Sequence, residues 1–132
     1  MSRPIHFEIH AADVERACTF YAAVFGWTYQ DWTDFAGMPY FGVESGPEDQ
    51  PGINGAIMQR MRGLEAGPGA PVNGAVLTMG TDDYDRDHAK IVAAGGQVAL
   101  PKAALPGMAW QGYYLDTEGN VFGLHQPDPH AA

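Results

Sequence analysis

The chain has 132 residues, 45 % of them hydrophobic and 17 % charged, which suits one globular domain and excludes a disordered segment. Sixteen acidic against seven basic side chains leave a formal net charge of −9, which argues against nucleic acid or an anionic membrane as partner, because phosphate binding needs clustered Lys and Arg. The single cysteine, Cys18, excludes an intrachain disulfide, and no apolar run approaches the roughly 20 residues of a membrane span. The N-terminus lacks the apolar stretch of a signal peptide, so the chain reads as cytoplasmic.

In chain order, Ile5 to His10 alternates apolar and polar side chains with period two, which predicts a strand with one buried face. Asp13 suits an N-cap, and Val14, Ala17, Phe20, Tyr21, Val24 and Phe25 then recur at helical spacing until Gly26 ends the helix. Cys18 falls inside this pattern and reads as a small buried hydrophobe. Strands are expected over Trp27 to Trp32, Met38 to Glu44 and Ile53 to Met61, separated by turn-forming clusters. The same order then recurs: a strand at Ala75 to Thr81, a helix capped by Asp82 or Asp83 and ended by Gly95-Gly96, and strands near Gln97 to Leu100, Trp110 to Leu115 and Val121 to Gln126. This predicts an α+β chain of two βαβββ modules, residues 4–62 and 75–127, forming a curved mixed sheet around a pocket. A Gly/Pro-rich linker, 63–74, lies between the modules, and 128–132 form a tail.

The strand, Asp cap and helix at the start, Val-Phe-Gly-Trp at the helix end, and the late Asp-Thr-Glu-Gly-Asn-Val-Phe-Gly-Leu-His (116–125) together resemble the vicinal oxygen chelate superfamily. That superfamily includes glyoxalase I, bleomycin-resistance proteins and extradiol dioxygenases, and the likeness runs from about Ile5 to Pro127. Within it the chain is most similar to a glyoxalase-related subgroup of unassigned function. The resemblance implies a small-molecule ligand, glyoxalase-like isomerase or lyase chemistry, and in many members a homodimer. It also implies metal ligands, His or Glu, on the first and last strands of each module. Those positions fall at His6, at Ala75 or Val76, at Met58 and at Gly123, so only His6 is of ligand type. A divalent ion needs about three protein ligands to be held well, so the family metal set is not expected here.

Alternation places His6, Glu8 and His10 on one face of the first strand. A carboxylate beside an imidazole on a partly apolar wall is acid–base equipment, which makes Glu8 and His6 the candidate catalytic residues. A hydrogen-bonded pair that only fixes the sheet is the alternative, and His10 reads as a rim residue. Asp116 and Glu118 read as hairpin-turn formers, with Gly119 free to take φ > 0. Pairing across that turn sets Tyr113 beside Gly123 and Gln111 beside His125, with room for a ligand where Gly123 lacks a side chain. His6, Glu8 and His125 would then make a two-His, one-carboxylate set of the non-haem iron kind. Tyr40, Met58 and Trp110, with Tyr113 and His125, are the candidate ligand-lining residues. Lys102 to Ala109 reads as a pocket flap hinged at Trp110, or as an ordinary surface loop. Two functions stand side by side: a metal-poor acid–base enzyme, and a ligand- or antibiotic-sequestering protein of the bleomycin-resistance type.

Overall fold

The computed structural model describes residues 3–60 and 75–132. The expected linker, 63–74, lies outside the described residues, as does Met61 at the end of its predicted strand. Contacts divide the chain into two compact units, Met1–Gly63 and Leu64–Ala132.

The first unit runs β1 (Phe7–Ala11), α1 (Val14–Phe25), β2 (Thr28–Asp31), α2 (Thr33–Ala36), β3 (Tyr40–Glu44) and β4 (Gly55–Gln59). Its sheet has the order β1-β4-β3-β2, with β1 parallel to β4 and the other neighbours antiparallel. Asp13 caps α1 by accepting from the Arg16 amide at 3.0 Å, a contact typically worth about 1 kcal/mol. Gly26, at φ +74°, closes the helix with its N–H on the Ala22 carbonyl. The helix lays Val14, Ala17, Phe20, Tyr21 and Val24 into a core shared with Ile9, Ala11 and Ile57. Tyr21 stacks on Trp27 with ring centroids 4.7 Å apart, so the helix end and the start of β2 are held together.

The second unit repeats the plan with β5 (Leu77–Gly80), α3 (Tyr84–Ala93), β6 (Gln97–Leu105), β7 (Ala109–Leu115) and β8 (Val121–Pro127) in the order β5-β8-β7-β6. Asp83, not Asp82, is the cap of α3, accepting from the Arg86 amide at 3.0 Å. Asp82 instead pairs with the Arg86 guanidinium at 2.8 Å. The core holds Tyr84, Ile91, Tyr114, Phe122 and Leu124. Within it the Tyr114 hydroxyl lies 3.0 Å from that of Tyr84 and 2.9 Å from His88 Nδ1, so each buried phenol has a polar partner. Among the described residues no helix is long and apolar enough to cross a membrane.

Two expectations fail. The Trp27–Trp32 strand is shorter, and a one-turn helix, α2, follows it, started by Asp31 Oδ1 accepting from the Thr33 amide and ended by Gly37 at φ +76°. Lys102 to Ala109, read as a flap or as a surface loop, instead continues β6 into a hairpin with β7. β6 runs to Leu105, Ala103 and Ala104 pair with Gln111 and Trp110, and Gly107, at φ +72°, lies in the turn to Ala109. Pro101 hides this in the sequence: a proline cannot donate to the ladder, and the register shifts between Leu100 and Ala103. The tail docks on this hairpin, with the Gly107 amide on the Ala131 carbonyl and the Asp128 amide on the Met108 carbonyl, both at 2.8 Å.

Gly112 is where packing is least forgiving, because a Cβ there would run into the Tyr84 hydroxyl. Gly112→Ala is expected to destabilise the chain by roughly 1–3 kcal/mol in urea unfolding. Adding Tyr84→Phe, which removes the clashing oxygen, should cost less than the sum of the single changes. Simple additivity would show that the contact is not the source of the loss.

Candidate functional site

Each sheet gives one face to its helix. In the first, Phe7, Ile9, Ile57, Phe41 and Val43 share the helix side, which leaves Glu8, His10, Ala56, Met58, Tyr40 and Gly42 on the other by the register of β1, β4 and β3. On this second face the Tyr40 hydroxyl donates to Glu8 Oε2 at 2.9 Å. That leaves the phenol oxygen to accept from His6 Nε2 at 3.3 Å, while His6 Nε2 and Glu8 Oε2 are 3.9 Å apart. His6 and Glu8 are 45 % and 41 % exposed at the side chain, so the cluster is open to a small molecule. Partial burial, and then the hydrogen bond and charge of Glu8, push the Tyr40 phenol above its ordinary value. At neutral pH it is therefore a donor and not an anion. Trp32, outside the sequence-based candidates, stacks on Tyr40 with interplanar angle 11° and packs its indole over Gly42.

In the second sheet the free face holds Thr78, Gly123, Tyr113, His125 and Gln111, and the pairs Tyr113–Gly123 and Gln111–His125 form as the hairpin turn implies. Asp116 makes that turn: its buried carboxylate accepts from the Glu118 and Asn120 amides at 2.8 and 2.9 Å, and Gly119 takes φ +80°. His125 Nδ1 lies 2.6 Å from Gln111 Oε1, which makes Nδ1 the donor in this contact. The space over Gly123 is less open than the missing side chain suggests, because Thr78 and Gln111 lean over it.

Two grouped candidates separate. Met58 lies beside Tyr40 in register but is buried at 1 % exposure. Trp110 is in step with Tyr114 and Gly112, on the helix side of its sheet and opposite to Tyr113 and Gln111. There its indole donates to Asp128 at 3.0 Å and covers the Lys102 ammonium at 4.8 Å, so it serves the hairpin and not a lining shared with Tyr113. His10 follows Glu8 on the free face at the end of β1, in register with Met58.

The register also corrects which positions match between modules. Thr78 stands before its cap Asp83 as Glu8 stands before Asp13, five residues in each case (83 − 78 and 13 − 8). Thr78 pairs with Gly123 and Glu8 with Ala56, so Ala56 and not Met58 is the counterpart of Gly123. Val76 is the counterpart of His6. Alanine, glycine and valine offer no side-chain donor, so the residues present do not fit a metal held at matching positions of the two modules. Among the described residues no three His, Cys, Asp or Glu side chains gather as a possible ligand set.

Residues 3–43 match a family model described as bleomycin resistance protein-like N-terminal. The chain is 31 % identical over 113 residues to the CFP32 proteins of Mycobacterium bovis and Mycobacterium tuberculosis, which are named as glyoxylases. The match takes in 86 % of this chain but spans only 40 % of the length of those relatives. Among solved structures, the fosfomycin resistance protein FosX of Listeria monocytogenes has a TM-score of 0.70 at 15 % identity, over 96 % of this chain and 93 % of its own. A glyoxalase-related enzyme of Fulvimarina pelagi has a TM-score of 0.68 at 20 % identity, over 96 % and 88 %. A glyoxalase/bleomycin resistance protein/dioxygenase superfamily member from Sphaerobacter thermophilus also reaches 0.68, at 19 % identity over 96 % and 98 %. At such identities these three likenesses speak for the fold.

Cys18 is half-buried, and desolvation first, then the charge of Glu15, push its thiol up to about 11. At pH 8 the thiolate is then roughly one part in a thousand, which suits packing and not nucleophilic work. Alkylation by iodoacetamide should be slow at pH 8 and still rising steeply above pH 9. A plateau near pH 9 would contradict the environment described.

Proposed function

We propose that the chain, as a member of the vicinal oxygen chelate superfamily, is a glyoxalase-related enzyme that moves a proton on a small oxygen-bearing molecule, with Glu8 as the acid–base group. The observation that carries this reading is the 2.9 Å hydrogen bond from Tyr40 to Glu8, with His6 within 3.9 Å of the same carboxylate oxygen. Glu8 Oε2 is tied to the phenol, and Oε1, without a partner among the described residues, is left to meet a substrate C–H or O–H. Tyr40 fixes the carboxylate in one orientation, and pre-set orientation is a large part of what a general base contributes. His6 supplies a second site for the proton beside the phenol. Isomerisation needs a proton taken at one atom and returned at its neighbour, which one carboxylate with a hydrogen-bonded relay can do. No step passes through a metal.

The second reading is a ligand-sequestering protein. It is favoured by Trp32, 45 % exposed and stacked on Tyr40 beside the Glu8 carboxylate, a combination that suits a flat cationic molecule.

Solvent exchange separates the two without knowledge of the full reaction. A panel of hemithioacetals, hydroxy ketones and oxo acids in D2O, followed by proton NMR, reads loss of the C–H signal next to the carbonyl. Glu8→Gln should lower the exchange rate at least about 100-fold while keeping ligand affinity, and Tyr40→Phe should lower it about tenfold. Exchange by Glu8→Gln at the wild-type rate would sink the acid–base role. Saturable binding with no exchange across the panel would leave sequestration as the function.

A further inference from the structure

One aromatic side chain on the free face of the first sheet has no part in the proton chemistry assigned to Glu8. Trp32 follows β2, and its amide donates to the Tyr40 carbonyl at 2.9 Å, which continues the register that pairs Gln30 with Gly42. Its side chain therefore emerges on the same face as Tyr40 and Gly42. A Cβ built on Gly42 would lie 3.3, 3.3 and 3.4 Å from indole Cη2, Cζ3 and Cε3. Three consecutive ring carbons stand about equally far from one point when the ring meets it face-on; an edge-on ring would put its middle carbon clearly nearest. One face of the indole thus lies flat on Gly42, and the other is turned away from the sheet, with the residue 45 % exposed. The Tyr40 ring is parallel to the indole within 11°, with centroids 6.3 Å apart, and the Tyr40 hydroxyl ends on Glu8.

We propose that Trp32 is a specificity-determining residue whose outer indole face carries a flat conjugated group of the substrate, which makes the substrate class an aryl ketone with its reacting carbon at Glu8. The place of the reacting carbon rests on the acid–base reading of Glu8, while the stacking on Trp32 does not. Offset stacking of a second ring on the indole adds to what burial of that ring contributes. The Tyr40 ring stands between the indole and Glu8, so a substrate must reach past one phenol to touch both. A two-ring aryl group has that length, and a single phenyl overlaps the indole less. Stacking a charged ring costs hydration that a neutral aryl group does not lose, which favours the neutral class. Gly42 permits this seat, because a Cβ there would press on three ring carbons and lift the indole from the sheet.

The test is a titration of the 15N-labelled full chain followed at the indole N–H signals, with that of Trp32 assigned through Trp32→Phe. The probes are hydroxyacetone, phenacyl alcohol and its naphthyl analogue, hydroxy ketones that differ only in the group beside the carbonyl, with N-methylquinolinium as a flat cation of naphthyl size. A saturable shift of the Trp32 signal is expected, with affinity rising from methyl to phenyl to naphthyl. Trp32→Ala should shrink the affinity ratio of the naphthyl to the methyl compound about three- to tenfold, and Trp32→Phe, which keeps a smaller ring, should restore part of it. A tryptophan that only covers the sheet would change all three affinities together. The proposal is overturned if the naphthyl compound leaves the Trp32 signal in place, if the ratio survives Trp32→Ala, or if N-methylquinolinium binds more tightly than the naphthyl ketone. Deuterium exchange at the carbon bearing the hydroxyl reads Glu8 separately. Selective binding without exchange would remove the acid–base role and still support stacking on Trp32, and exchange without selectivity would do the reverse.

Discussion

The hydrogen bond from the Tyr40 phenol to the Glu8 carboxylate joins two strands that are not neighbours, and it exists because the residue between them is small. β4 separates β3 from β1, and side chains on one face of a sheet normally meet only across adjacent strands. Ala56 keeps the surface of β4 low beside Glu8, and Tyr40 is long enough to cross it. The helix fixes everything else about this face. By burying Ile9 and Ile57 against α1, it commits Glu8 and Tyr40 to the opposite side, and a one-residue slip would send both into the core.

The second module obeys the same constraint with different residues. Gly123 is lower still than alanine, and Gln111 leans over it toward Thr78 as Tyr40 leans toward Glu8. Duplication has preserved the geometry, a long side chain crossing a small one to reach the first strand. The chemistry has diverged, from a carboxylate with a phenol donor to a hydroxyl with an amide. At the matching positions of the two modules Ala56, Gly123 and Val76 carry no side-chain donor atoms, while His6 does.

Much of this architecture is legible from local pattern. Asp13 and Gly26 bracket α1 because caps and left-handed closures depend on single residues, and the turn at Asp116 to Asn120 sets the pairing of Gln111 with His125. The face carrying His6 and Glu8 follows from strict alternation in β1. What the sequence conceals is set by distance or by interruption. Tyr40 meets Glu8 across 32 residues of chain, which no periodicity reports. Pro101 breaks the strand pattern of β6 and disguises a hairpin as a flap or loop, and Trp110 reads as a pocket residue because its side of β7 depends on register. Met58 looks like the partner of Gly123 until the pairing of β1 with β4 gives that place to Ala56.

The lack of side-chain donors at Ala56, Gly123 and Val76 is the claim on which the acid–base reading leans most heavily. Titration of the chelator-treated full chain with Mn(II), Ni(II) and Zn(II), read by calorimetry, addresses it without any substrate. If the cluster works as its own residues allow, binding should be weak and no stronger than in a His6→Ala/Glu8→Gln variant. One equivalent of tightly held metal, lost in that variant, would mean that His6 and Glu8 are ligands and would contradict a proton-moving role for Glu8.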